Sequence, residues 1–167
     1  AKWVEAGHIL GSTSIELTLE ENGRRHVAIF SGDIGHLGAP VLRDPVRFCA
    51  ADSVFMESTY GDRDHKSLAE TLNETEDIIR EAVARKAKIL VPSFAVGRTQ
   101  QLIYHLAALF RDGRLPQFPI YLDSPMAQEA TRIYLRHTEL YDEEAMELHR
   151  TGQLERDFSA VRFCATA

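Results

Sequence analysis

Three short strand-like runs each end on a side chain able to hold a hard metal ion or move a proton. They are His8 in Ala6-Gly7-His8-Ile9-Leu10-Gly11-Ser12, Asp33 in Phe30-Ser31-Gly32-Asp33-Ile34-Gly35, and Glu57 in Phe55-Met56-Glu57-Ser58-Thr59-Tyr60-Gly61. Small residues follow each one. A sheet presents reactive side chains in this way, on loops held by a rigid scaffold. A neutral imidazole with carboxylates suits a divalent zinc-type ion that activates water. Each residue also has a plainer use. His8 alone reads as a solvated loop histidine, Asp33 as a turn aspartate bonding its own backbone, and Glu57 as the partner of an arginine such as Arg63. As an ionised carboxylate, Asp33 could hold a cation, with its flanking glycines admitting a close backbone approach. Glu57 follows an apolar strand and needs a partner there; orienting a histidine would supply one.

A second group of residues suits phosphate. Pro92-Ser93-Phe94-Ala95-Val96-Gly97-Arg98-Thr99-Gln100 reads as a strand-loop-helix junction. Gly97 and the helix start attract an anion, and Arg98 adds a bidentate grip. Ser93 and Thr99 are secondary donors. The alternative has Arg98 bridging to Glu57 or Asp123. Ser124 reads first as the cap of a helix opening at Pro125 and only then as a substrate contact. His26, His36, His105, His137 and His149 lack ligand spacing and read as structural. Tyr104, Tyr134 and Tyr141 could stack bases but read as core.

The elements that must position these groups fall into two regimes. Up to about residue 60 the pattern is antiparallel: a strand at 2–5, an alternating strand at 14–20, the turn Asn22-Gly23, a return strand at 26–30 and a short strand at 53–56. From about residue 61 helices alternate with short apolar runs. Ser67-Leu68-Ala69-Glu70 is a capping box opening a helix to about Arg85. Lys88–Val91 and Pro119–Leu122 read as buried parallel strands. Helices are expected over 97–110, from Pro125, and over 142–149, with a strand starting at Val161.

The chain has 167 residues and a net charge of −6. The acidity disfavours a protein that coats nucleic acid non-specifically, but not a metal cleft with local arginines. No apolar run approaches the roughly 20 residues of a membrane span, so no membrane partner is expected. Two cysteines, Cys49 and Cys164, make no disulfide framework. They read as buried free thiols, and a reducing cytoplasm fits.

In their order, five motifs resemble the β-CASP branch of the metallo-β-lactamase superfamily, a group of RNA-processing nucleases. They are the His8 segment, Ser31-Gly32-Asp33, Glu57 to Arg63, Pro92 to Gln100 and Tyr121-Leu122-Asp123-Ser124-Pro125-Met126-Ala127. The resemblance implies an α/β chain: part of a metallo-β-lactamase αββα sandwich over 1–60, joined to part of a Rossmann-like β-CASP domain over 61–167. It implies that His8 and Asp33 are zinc ligands, with Asp33 shared between two ions. It implies that Glu57 orients a histidine that assists the leaving group, so that Asp33 and Glu57 are the catalytic pair. Single-stranded RNA is the implied substrate, gripped by Arg98, Ser93, Thr99 and Ser124. The family's first cluster, His-x-His-x-Asp-His, and its two later histidine motifs do not occur in this sequence. The expected reading is therefore a segment with an incomplete zinc site, inert alone, whose open sheet edges invite a homodimer. Two other functions stay open: hydrolysis of a small ester or lactone on the same scaffold, and a non-catalytic RNA-binding homologue.

Overall fold

The computed structural model describes residues 1–164. The chain packs as two units. The first is Ala1–Asp62 with His137–Leu148, and the second is Arg63–Arg136 with the stretch beginning at His149.

The first unit is built on a four-stranded sheet in the order β1-β2-β3-β4. Its strands are β1 (Lys2–Glu5), β2 (Thr13–Glu21), β3 (Arg24–Phe30) and β4 (Ser53–Phe55). β2 and β3 form the expected hairpin. Asn22 and Gly23 take φ of 51° and 71°, the left-handed pair that matches the twist of the flanking strands. β4 departs from the expected antiparallel pattern: it pairs parallel to β3, Ala28 to Ser53 and Phe30 to Phe55. The long connection over 31–52 makes this arrangement available, since parallel neighbours require a crossover. Trp3, Ile15, Phe30 and Phe55 lie in one row across the four strands, with Phe30 and Phe55 stacked at 4.7 Å.

The segment 137–148 joins this unit through backbone and side-chain contacts that no local sequence pattern announces. Leu42 bridges Tyr141, Arg43 Nε donates to the Tyr141 carbonyl at 3.2 Å, and the Asp142 N–H donates to the Val41 carbonyl at 3.0 Å. Val41, Leu42, Tyr141 and Ala145 are buried there. Asp142 caps α4 (Glu143–Arg150), its Oδ1 accepting the Ala145 N–H at 2.7 Å. Desolvation pushes the Asp142 carboxyl above its ordinary value of 3.8. The charged form therefore costs stability at neutral pH, and that cost disappears as the pH falls through the raised value towards 3.8. Asp142→Asn keeps the acceptor and removes the charge. It should match or exceed the parent's stability at pH 7 and lose that advantage near pH 4. Asp142→Ala should lose about 1 kcal/mol of capping at neutral pH. Urea titrations at both pH values check this, and a destabilised Asn variant at pH 7 would contradict it.

The second unit holds α1 (Leu68–Ala84), α2 (Arg98–Arg111), β5 (Ile120–Leu122), α3 (Pro125–Arg136), α5 (Gln153–Ser159) and β6 (Val161–Phe163). The Ser67–Glu70 capping box is present in both directions. Ile79, Leu109 and Leu115 form a core with Val83, Leu106, Phe110 and Phe118 against it. β5 and β6 pair in parallel. Gln128 Nε2 ties their ends, donating to the carbonyls of Leu122 at 3.1 Å and Cys164 at 2.9 Å. Arg111 pairs with Asp157, holding α2 to α5.

Two expectations are corrected here. Lys88–Val91 is not a buried strand: Leu90 is 91% exposed and Val91 56%, and no ladder forms there among the described residues. A strand exists only where a neighbour takes its backbone groups, and apolar composition alone does not provide one. Cys49 is exposed rather than buried, because it sits on the irregular 31–52 connection; Cys164 is half-buried, and both are free. Tyr104, Tyr134 and Tyr141 are buried as expected. Among the described residues, no helix is long and apolar enough to cross a membrane.

Candidate metal site and substrate loop

Two loops at one edge of the four-stranded sheet bring His8 and Asp33 together. The His8 loop is closed by Ser12, whose Oγ accepts the N–H groups of His8 at 3.0 Å and Ile9 at 3.2 Å. Its neighbour Gly7 has a φ of 65°, open to a residue without Cβ. The Asp33 loop is welded to it by the Gly35 N–H donating to the Ala6 carbonyl at 2.8 Å. The backbones meet so closely that a Cβ on Gly35 would lie 1.8 Å from the Gly7 oxygen. As a result, His8 Nε2 stands 3.9 Å from Asp33 Oδ2, with both side chains open to solvent.

Glu57 holds the Asp33 loop from the other side. Its Oε1 accepts the Ile34 N–H at 2.7 Å and its Oε2 accepts the Thr59 hydroxyl at 2.8 Å. These donors, with His8 nearby, hold its carboxyl below the ordinary value. The buried Ser31 completes the frame: its Oγ accepts the Glu57 N–H at 3.0 Å, and its carbonyl accepts the buried Ser14 hydroxyl at 2.6 Å. Sequence reasoning named His8, Asp33 and Glu57 but gave no role to Ser12, Ser14 or Ser31. The legible signal was a hydroxyl beside each candidate, a residue type that ties loops to their own backbone.

The donor set fits a divalent metal in type. Two atoms bound to one tetrahedral zinc at about 2.0–2.2 Å lie roughly 3.4 Å apart, close to the 3.9 Å separation here. It fills only two of the usual four positions, and among the described residues no group of three or more His, Cys, Asp or Glu side chains is placed to hold a metal.

The substrate residues expected at the helix start are divided by the structure. Ser93 and Arg98 are exposed, whereas Thr99 is buried and its hydroxyl donates to the Phe94 carbonyl at 2.7 Å. Thr99 anchors the loop from inside, its hydroxyl already committed to that carbonyl. Gln100, which sequence reasoning passed over, is 1% exposed. Its Oε1 accepts the Gly97 N–H at 2.8 Å, and its Nε2 donates to the Ala95 carbonyl at 3.1 Å and to Thr131 Oγ1 at 3.0 Å. The signal was a polar residue at the head of the stripe 100, 103, 104, 107, the buried face of α2. Ser124 caps α3, its Oγ accepting the Ala127 N–H at 3.2 Å. Arg98 enters no ion pair among the described residues, so the bridge to Asp123 is not formed.

Comparison with known proteins agrees with the motif order. The Beta-Casp domain family matches residues 99–167. Ribonuclease TTHA0252 of Thermus thermophilus is 39% identical over 141 residues, which is 84% of this chain and 31% of that protein. An RNase J-like protein of Methanocaldococcus jannaschii is 33% identical over 139 residues, 81% of this chain and 32% of that protein. Transcription termination factor FttA of Methanothermobacter thermautotrophicus is 34% identical over 139 residues, 80% and 21% respectively. The chain thus spans between about a fifth and a third of the curated relatives it matches. It belongs to the β-CASP branch of the metallo-β-lactamase superfamily.

Proposed function

We propose that this chain is part of a metal-dependent phosphodiester hydrolase acting on single-stranded RNA. Residues 1–60 would contribute to a metallo-β-lactamase αββα sandwich, and residues 61–167 to a Rossmann-like β-CASP domain. The observation that carries the reading is the apposition of His8 and Asp33 at 3.9 Å on two loops locked backbone to backbone. Its relatives' names, ribonuclease and RNase J-like protein, support RNA as the substrate class.

His8 and Asp33 would hold zinc together with ligands from outside residues 1–164. When bound, the ion supplies Lewis acidity towards the scissile phosphate and activates the attacking water. Glu57 acts as a positioning residue: by accepting the Ile34 N–H it fixes the turn from which Asp33 projects. Ser124 serves α3 first, as its cap. Arg98, with Ser93, would take an RNA phosphate through a charge-assisted contact.

In the full-length protein, Asp33→Ala should abolish cleavage of a 5′-labelled single-stranded RNA while circular dichroism stays unchanged. Bound zinc, measured by elemental analysis, should fall as well. Wild-type hydrolysis of a chromogenic ester with no cleavage of RNA would favour the small-molecule reading. Retained RNA cleavage by the Asp33 variant would end the proposal.

A further inference from the structure

The Ser93–Arg98 loop carries two groups that the fold leaves uncommitted. Phe94 is 83% exposed. Its backbone is nevertheless fixed, because the carbonyls of Phe94 and Ala95 point inward onto Thr99 and Gln100, both buried. The Gly97 N–H is taken by Gln100 too, and Gly97 itself has a φ of 82°, a conformation that side chains disfavour. The backbone of the loop therefore cannot turn Phe94 inward without breaking these partly buried hydrogen bonds.

The second group is Arg98. In the same unit Arg80, Arg85, Arg111, Arg114 and Arg132 pair with carboxylates, and Arg156 is held by Gln153 and the Thr151 carbonyl. Arg98 is exposed and enters no such pair among the described residues. The aromatic rings differ in the same way. Phe110 and Phe118 pack edge to face at 5.0 Å, and Phe163 lies under Arg132; among the described residues Phe94 has no such contact. A rigid loop thus presents one bare aromatic face and one unpaired guanidinium within five consecutive residues. That pairing suits a single-stranded nucleotide, whose base stacks on an aromatic ring and whose phosphate binds arginine.

We propose that Phe94 is a base-stacking platform that works with Arg98 on one nucleotide of the single-stranded substrate, with Gln100 and Thr99 as the positioning residues that hold the loop in shape. This rests on the RNA reading above and adds the subsite that reads the base. Stacking tolerates any base, so the subsite selects unpaired over paired RNA rather than sequence.

The test is fluorescence anisotropy on the full-length protein carrying Asp33→Ala to prevent turnover. The probes are a 5′-labelled oligo(U) and an abasic ribose oligomer of the same length. Phe94→Ala should weaken oligo(U) binding about tenfold, as loss of one base stack does, and leave the abasic oligomer unaffected. Phe94→Trp should restore oligo(U) binding. Arg98→Ala should weaken both probes alike and flatten the salt dependence. If Phe94→Ala binds both probes like the parent while RNA cleavage by the wild type is intact, the stacking site is wrong and the ribonuclease reading stands. If it instead gains solubility or loses a protein partner with RNA binding unchanged, Phe94 faces protein and the proposal also falls. If the parent binds neither probe and the wild type cleaves no RNA, the ribonuclease reading itself fails.

Discussion

Gly35→Ala is expected to be the most damaging single-methyl change in the first unit. The added Cβ would sit 1.8 Å from the Gly7 carbonyl oxygen, 2.2 Å from its carbon and 2.8 Å from the His8 nitrogen. All three are backbone atoms, so no side chain can swing aside. The two loops must separate. Separation breaks the Gly35 N–H to Ala6 bond, worth about 1 kcal/mol, and adds overpacking strain of about 1–3 kcal/mol. A loss of about 3 kcal/mol is expected by chemical denaturation. The comparison is Gly38→Ala, where the φ of 70° strains a side chain but nothing lies within 4 Å. That variant should lose only about 1–2 kcal/mol. The gap between His8 and Asp33 should widen in the Gly35 variant, so its effect on zinc content should exceed that of Gly38→Ala. Equal effects for the two substitutions would show that the loops do not touch as described.

This contact explains what was legible in the sequence and what was not. The hairpin at Asn22-Gly23 and the Ser67 capping box were readable because each is local: residue type sets dihedral angle or cap within a few positions. The candidate metal residues were readable because each lies on a loop a few residues past a strand. Their apposition was not, since Gly7 and Gly35 look like ordinary loop glycines until the two backbones are seen to meet. The parallel pairing of β4 depends on how the 31–52 connection runs, which periodicity does not encode. Lys88–Val91 failed for the opposite reason. Its composition matches a buried strand, but a strand is a property of two segments, and the ladder partner decides it. The packing of 137–148 with the first unit escaped in the same way, because its anchors are the backbone of residues 41 and 42 and the Arg43 side chain.

Gln100 offers the second large effect, and one whose pH dependence separates polar from steric causes. Gln100→Leu nearly conserves volume but leaves the Gly97 N–H and the Ala95 carbonyl without their partner, while Thr131 Oγ1 loses one bond and keeps the one it donates to the Ala127 carbonyl. Unpaired buried groups cost about 1–3 kcal/mol each when water cannot reach them; partial relaxation brings the expected loss to about 3–4 kcal/mol. Gln100→Leu with Thr131→Val should lose less than the sum of the single changes, because they share one hydrogen bond. Gln100→Glu is more informative. One oxygen still accepts the Gly97 N–H, but the other, once ionised, faces the Ala95 carbonyl where an N–H had donated. Burial and this repulsion raise the folded-state pKa of the new carboxyl above its unfolded value. Its cost is thus full at neutral pH and is relieved as the pH falls through the folded value, where the acid O–H can donate again. Stability of Gln100→Glu relative to the parent should rise on acidification, whereas the deficit of Gln100→Leu should stay flat. If both variants lose stability by the same pH-independent amount, the position matters for packing alone and Gln100 does not hold the loop.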